Sequence, residues 1–254
     1  MRVAVYTAIF GNKDEAPSLL NCTVALKNNF DFFCVTDNPE LKSEDYTMVV
    51  VPLQFTDITK NARSVKVNGF EGIEAYDVAI WHDSSVRMDC EKLDELSIIG
   101  FENLISAFHH RRYCAYLEAV ECINHRKDSP IRIARQMFRY FRRGFPSNNK
   151  LHETTIMVLN CKNYFGSKLQ HIWWHEIKTQ SRRDQLALAY ARWKSNVEVG
   201  LLEGITGTGS DNRFSTWVGH RYAHYEDSNV FQKLDFSLIR ILCKKLIYEM
   251  RRKR

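Results

Sequence analysis

The run Tyr76-Asp77-Val78-Ala79-Ile80-Trp81 stops at His82-Asp83-Ser84-Ser85, so an apolar stretch of strand length ends abruptly on a carboxylate and two hydroxyls. A near-continuous apolar run is the mark of a strand covered on both faces, the usual state of strands in parallel sheets. In open sheets of that kind ligands bind beyond the carboxyl ends of the strands. An acidic residue there can hold a metal or a sugar hydroxyl without entering the core. An ordinary Asp-Ser turn, with side chains bonded to their own backbone, explains the local sequence equally well. The rest of the chain has to decide.

With 254 residues the chain can bury the core of one large domain. Its 5 Pro and 11 Gly are scattered, no Ser/Gly/Pro-rich block divides it, and no internal repeat occurs. Strand patterns at 3–10, 31–36, 47–51, 77–82 and 155–160 alternate with helical patterns at 58–68, 91–97, 111–125, 129–143, 168–196 in one or two pieces, and 235–252. The alternation predicts an α/β fold, a single Rossmann-like domain over residues 1–235 whose mostly parallel central sheet is flanked by helices. A basic amphipathic helix over 236–254 follows.

The segment Met1 to Gly11 carries one charge and a short apolar run, which reads as a buried first strand and not as a signal peptide. Nowhere are there the roughly 20 apolar residues of a spanning helix. The expectation is a cytoplasmic protein. Cys22, Cys34, Cys90, Cys114, Cys122, Cys161 and Cys243 form no Cys-x-x-Cys pair and no Cys/His cluster with zinc spacing. They are expected to be reduced, mostly buried thiols.

The formal charge of +6 is uneven, because residues 244–254 hold six cations and one anion and the body is nearly neutral. A second basic element is Arg132, Arg135, Arg139, Arg142 and Arg143, whose spacing stacks guanidinium groups on one helix face. Either stripe suits phosphates, anionic glycan or the anionic inner face of a membrane, on which the protein would be peripheral; either also suits plain solvent exposure. With the excess charge in one short tail and no recognised nucleic-acid motif, no nucleic-acid partner is expected.

Several groupings carry chemistry. Phe33-Cys34-Val35-Thr36-Asp37 ends a second apolar strand on a carboxylate that could read a base or ribose. Arg63 and Lys66, three apart, would share one side of a helix and could neutralise phosphates. No Walker loop and no Gly-x-Gly-x-x-Gly is present, and Gly204-Ile205-Thr206-Gly207-Thr208-Gly209-Ser210 lacks a phosphate-loop lysine and reads as a mobile loop. His109 and Arg112 stand at the mouth of a helix from which Tyr116 and Glu118 could project towards a common region. Trp173-Trp174 suits either sugar faces or the core. Asp184 with Gln185 opens a helix, where an acid can simply stabilise the first turn.

Taken in order, Val5 to Gly11, Phe33 to Asp37, Arg63 to Lys66, Trp81-His82-Asp83-Ser84-Ser85, His109 to Glu118, Gly144-Phe145-Pro146 to Leu151-His152-Glu153, and Trp173-Trp174 to Arg183-Asp184-Gln185 resemble the glycosyltransferase-like domain of plant TOD/MUCI proteins and their bacterial relatives. The resemblance covers about residues 3 to 195. It implies a GT-A-type fold and a nucleotide-sugar donor. By the resemblance, Thr7, Ala8 and Asp37 line the nucleoside pocket, Arg63 and Lys66 face the diphosphate, and Asp83 stands at the first aspartate of the Asp-x-Asp motif. Asp184, beside Gln185, takes the acidic position next to the sugars, and His109, Arg112, Tyr116 and Glu118 match a His-x-x-Arg-x-x-x-Tyr-x-Glu pattern, with His110 where the family has proline.

The metal is where the chain departs from GT-A enzymes. Mn or Mg prefers several oxygen ligands, and Asp83-Ser84-Ser85 supplies one carboxylate where Asp-x-Asp supplies two. Ser85 would ligate weakly, His220 or His224 could complete a set, and transfer without metal, with Arg63, Lys66 and Arg112 neutralising the diphosphate, is the other expectation. The function expected is transfer of a sugar from a nucleoside diphosphate donor to a glycan or lipid-linked acceptor, in surface polysaccharide biosynthesis. The alternative is a non-catalytic nucleotide- or glycan-binding protein of the same fold.

Overall fold

The structure is a computed structural model and describes residues 1–206 and 211–219 and, apart from them, Tyr248. The helix expected at 235–252, Cys243, His220 and His224 therefore lie outside the described residues, as do residues 207–210 of the glycine-rich loop.

The chain opens with β1 (Val3–Ile9), buried throughout. Side chains alternate across a strand, so Ala4, Tyr6 and Ala8 enter one core layer while Val3, Val5 and Ile9 enter the other. A short helix α1 (Val24–Lys27), capped by Thr23, leads to β2 (Asp31–Thr36) and β3 (Thr47–Val50). Helix α2 (Ile58–Asn68), β4 (Val78–His82), β5 (Val86–Met88), α3 (Leu93–Glu102) and β6 (Ile105–His109) follow. Helices α4 (Ala115–Asn124) and α5 (Pro130–Arg142) precede β7 (His152–Asn160). The described chain ends with α6 (Cys161–Tyr164), α7 (Lys168–Thr179), α8 (Asp184–Ser195), β8 (Gly200–Leu202) and β9 (Ser215–Trp217).

Seven strands make one sheet in the order β3-β2-β1-β4-β7-β6-β8, and β5 pairs with β9 in a small second sheet. Strand β7 runs antiparallel to both its neighbours, and every other described pairing in the large sheet is parallel. The expectation of an α/β fold with a mostly parallel, helix-flanked sheet matches this architecture. One layer packs α2, α7 and α8 on the sheet through Val65, Trp173, Ile177 and Ala187. Helix α3 covers the other face through Leu93 and Leu96. It lies so close that a Cβ on Gly100 would collide with Val158 and Val78. A third cluster joins α4, α5 and α8 through Ile123, Ile133, Tyr140 and Tyr190. Each such aliphatic side chain, removed from water, contributes about 1.5–3 kcal/mol.

Some expectations are corrected. The helix expected from residue 111 begins only at Ala115, because β6 continues to His109 and Tyr113 turns the chain at φ 51°. The pattern over 168–196, expected in one or two pieces, forms two, α7 and α8, with Ser181 Oγ and Arg182 N both donating to Asp128 Oδ2 at 2.8 Å at the break. Cys22 and Cys90 are not reduced thiols but a disulfide, with Cα atoms 5.1 Å apart. Leu20 N donates to Met88 O at 2.9 Å and Cys90 N to Leu20 O at 3.0 Å, so the loop after β1 lies alongside residues 88–90 and brings the two cysteines together. Cys34, Cys114, Cys122 and Cys161 are buried and free. Among the described residues no helix is long and apolar enough to cross a membrane.

Candidate active site

Strand alternation sends Trp81 and Asp83 to the face that α2 covers. Helix α2 is fixed at its start by Asp57, which accepts from Thr59 N at 3.0 Å, and by Asn61, whose Oδ1 accepts from Gln54 N and Phe55 N at 2.8 and 3.0 Å. Arg63 and Lys66, one turn apart, then point together at the end of β4. Lys66 Nζ lies 3.1 Å from Asp83 Oδ1 and 2.7 Å from Asp184 Oδ2. Arg63 Nη1 lies 3.3 and 3.2 Å from the same two oxygens. Trp81 Nε1 donates to Asp83 Oδ1 at 2.9 Å, Thr154 Oγ1 to Asp184 Oδ2 at 2.7 Å, and Trp173 Nε1 to Asp184 O at 2.9 Å. Four sequence-distant segments thus close one cluster of two cations and two anions.

Burial decides how these groups titrate. On its own it would raise both carboxyl groups. Lys66 and Arg63 overcome it at Asp83, and Arg63, Lys66 and Arg183 overcome it at Asp184, so both stay below the usual carboxylate range, Asp184 far below. The Lys66 ammonium, wholly inaccessible, is pushed down by burial and by Arg63 against the pull of the two aspartates.

A cleft opens beside the cluster, lined by Ala8, Ile9 and Phe10 at the end of β1, Lys13, Asp14, Ile58, Thr59, Ala62, Arg63, Trp81, Asp83 and Ser84. Ser84 Oγ donates to Asp14 Oδ2 at 2.5 Å. Burial and Arg63 lower the Lys13 ammonium. Sequence reading missed Lys13, Asp14, Ser84 and Thr154. Lys13 and Asp14 follow the end of β1 and could have been found by that position, whereas nothing local marks Thr154 as the residue beneath Asp184.

The remaining predicted residues are spread along the same edge. Ala8 lines the cleft; Thr7 is fully buried on the opposite face of β1, its Oγ1 without a partner. Asp37 accepts from Gly11 N at 2.9 Å, bracing the turn after β1, where Gly11 has φ 64°. Ser85 is buried and its carbonyl accepts from Val218 N and Gly219 N, so Ser84 and not Ser85 faces the cleft. Gln185 is half-buried in the first turn of α8.

His109, Arg112, Tyr116 and Glu118 do not join the aspartate cluster. Arg112 Nη1 meets Glu118 Oε2 at 2.6 Å, with His110 Nε2 3.4 Å from that oxygen. Tyr116 turns away and donates to Phe145 O at 2.9 Å. His109 stacks on His152, ring centroids 5.7 Å apart, and Nδ1 of each is buried without a partner. Trp173 is core, and Trp174 packs edge-on against Phe55. The arginine stripe of α5 is partly internal, with Arg139 paired to Glu176 and Arg143 Nη1 donating to Tyr190 OH at 3.1 Å.

A divalent cation does not fit this donor set. Among the described residues no group of three His, Cys, Asp or Glu side chains could hold one. Asp83 Oδ1 already takes Lys66, Arg63 and Trp81, and Asp184 is inaccessible and doubly paired. A hard cation needs several oxygens free of competing positive charge, and here two fixed cations stand on the ones it would use.

No family model matches the chain, and neither does any curated protein. Solved structures similar to it are glycosyltransferases. GlyE of Streptococcus pneumoniae TIGR4 matches at 10% identity and TM-score 0.42 over 80% of this chain and 45% of its own. The bifunctional WbbM matches at 12% and 0.46 over 96% of this chain and 44% of its own. The galactosyltransferase LgtC, solved with donor and acceptor sugar analogues, matches at 12% and 0.40 over 74% and 69%. The chain thus spans under half the length of the first two. At these scores the likeness extends to no residue role.

Proposed function

We propose that the protein is a glycosyltransferase, related to the TOD/MUCI glycosyltransferase-like domain, that moves a sugar from a nucleoside diphosphate donor to a glycan or lipid-linked acceptor in surface polysaccharide biosynthesis. The observation that carries this reading is the meeting of Asp83, Asp184, Arg63 and Lys66 at the carboxyl end of β4, beside a cleft walled by the end of β1. On this reading Ala8, in the cleft wall, faces the nucleoside, and Asp37 braces the turn that follows β1. As the sugar's anomeric carbon parts from the diphosphate, negative charge grows on the leaving oxygen. Cations already fixed in place stabilise it without reorganising. Asp83 and Asp184 hold those cations in register, and Asp83, the more accessible of the two, meets the donor sugar.

Asp83→Asn should keep the fold and lower transfer by about a hundredfold or more. Incubation with a panel of nucleotide sugars, scored for hydrolysis and transfer, measures it, and turnover within a few-fold of the parent would remove Asp83 from the mechanism. A non-catalytic nucleotide- or glycan-binding role has one observation in its favour: Asp184 is buried and fully ion-paired, leaving no free base there. Binding without turnover across the panel would select it.

Peripheral membrane attachment belongs to the same proposal and rests on sequence. Leu238, Ile239, Leu242 and Leu246 supply apolar area, and Lys244, Lys245 and Arg251 to Arg254 supply charge, at about 1 kcal/mol per cation near an anionic surface. A chain truncated after Cys243 should lose sedimentation with anionic vesicles, as should the intact chain at high salt. Equal sedimentation of the two would sink the idea.

A further inference from the structure

We infer, on the donor-cleft reading above, that the cleft takes a diphosphate without a divalent cation, the buried Lys66 ammonium standing where the ion would stand and Arg63 with Lys13 meeting the phosphates. Lys66 has nowhere else to go. Its side chain is wholly inaccessible, its Nζ sits 5.4 Å from the Trp81 ring, and its carbonyl accepts from Tyr6 OH at 3.0 Å. An ion bound to Asp83 would have to sit beside both Lys66 and Arg63, Asp184 being already neutralised by those cations and Asp14, the other cleft carboxylate, being bonded to Ser84. Arg63 is the member of the cluster that also lines the cleft, and its Nε is buried without a partner. Lys13 lines the same cleft, close enough that Arg63 acts on its charge. An anion between them relieves that repulsion. Cations that stay in place do for a leaving diphosphate what a bound metal does elsewhere.

Titration of the intact chain with Mn, followed by the free-ion electron spin signal and by thermal shift, should show no binding, alone or with uridine or guanosine diphosphate. Affinity for whichever nucleoside diphosphate binds should differ less than about threefold between EDTA and Mn. Lys13→Met should weaken that affinity by about tenfold while leaving the ligand-free melting temperature unchanged. Lys66→Met leaves both aspartates to Arg63 alone, so it should acquire Mn binding that a further Asp83→Asn removes. Where Lys66→Met does not fold, Arg63→Met gives the same test. Stoichiometric Mn binding by the unaltered chain, lost in Asp83→Asn or in Asp14→Asn, would overturn the inference. If neither nucleoside diphosphate binds under any condition, the donor-cleft reading fails, and the titration with Mn alone still decides whether lysine has taken the metal's place.

Discussion

Around the end of β4 every charge is opposed, Lys66 and Arg63 facing Asp83 and Asp184 across 2.7 to 3.3 Å. Further along the same edge, at the end of β6, His109 and His152 stack with an unpartnered Nδ1 apiece, and His110 leans on a Glu118 that Arg112 also holds. Burial pushes His110 down to about 4 and His152 to about 3. The sequence pattern gathered both groups into one site. The difference teaches that shared position at a sheet edge does not make shared chemistry. The first group is locked by mutual charge, while in the second burial keeps His110 and His152 neutral.

Removing Lys66 should break the first group hardest. Lys66→Met leaves two half-paired aspartates, one of them buried, and should cost about 3–5 kcal/mol in denaturant unfolding; a loss under about 1 kcal/mol would mean the cluster adds little to the fold. Asp184→Asn comes next. If Asp184 positions the reacting sugar, transfer should fall about a hundredfold with nucleotide affinity nearly intact. Equal losses in both would make it a structural cap of α8. In the second group, Arg112→Ala leaves the buried Glu118 to His110 and should cost about 1–3 kcal/mol, less than Lys66→Met because Arg112 is partly in water.

The pH profile separates the groups. For His110 and His152 the folded state holds fewer protons than the unfolded chain between the folded values and about 6.5. Their contribution is therefore complete above about 6.5 and fades as pH falls towards 4 and 3. His82, held down to about 4 on the other face of β4, adds the same sign. Asp83 and Asp184, both depressed, withdraw stability only below the ordinary carboxylate range near 3.8. Equilibrium unfolding from pH 7 to 4 should show stability falling for the parent and falling less for His152→Asn. An unchanged slope would show that His152 is not the acid-sensitive base.

The parts of the fold legible in the sequence were those written as unbroken local pattern. β1, β2 and β4 were plain apolar runs, and α2 announced itself with the spacing that sets Arg63 beside Lys66. Asp83 was legible because an apolar run stopped there. Strand β6 was missed since Ser106 interrupts its apolar run, although that serine is fully buried. β8 and β9, at three residues each, are too short to show a period. Contacts made by chain crossing left no local trace. The Cys22–Cys90 bond spans 68 positions, and the hydroxyl facing the cleft was misplaced by one residue, because the tie of Ser85 to Val218 and Gly219 depends on the pairing of β5 with β9 far downstream.

The reversed direction of β7 has a further consequence for how this edge is held. In a wholly parallel sheet every loop at the carboxyl edge leaves a strand, so each one must also launch the next helix. Here the segment from Gly144 to Leu151 arrives at that edge instead, handing His152, Glu153 and Thr154 to it from the other direction. That arriving segment is held by the buried Phe145, Asn149 and Leu151, which accept from Tyr116 OH, Ala115 N and His110 N, and none of these bonds reaches the β1, β2 or β4 crossovers. The edge therefore has one approach whose anchors lie in α4 and just past the end of β6, and it is this approach that sets Thr154 under Asp184.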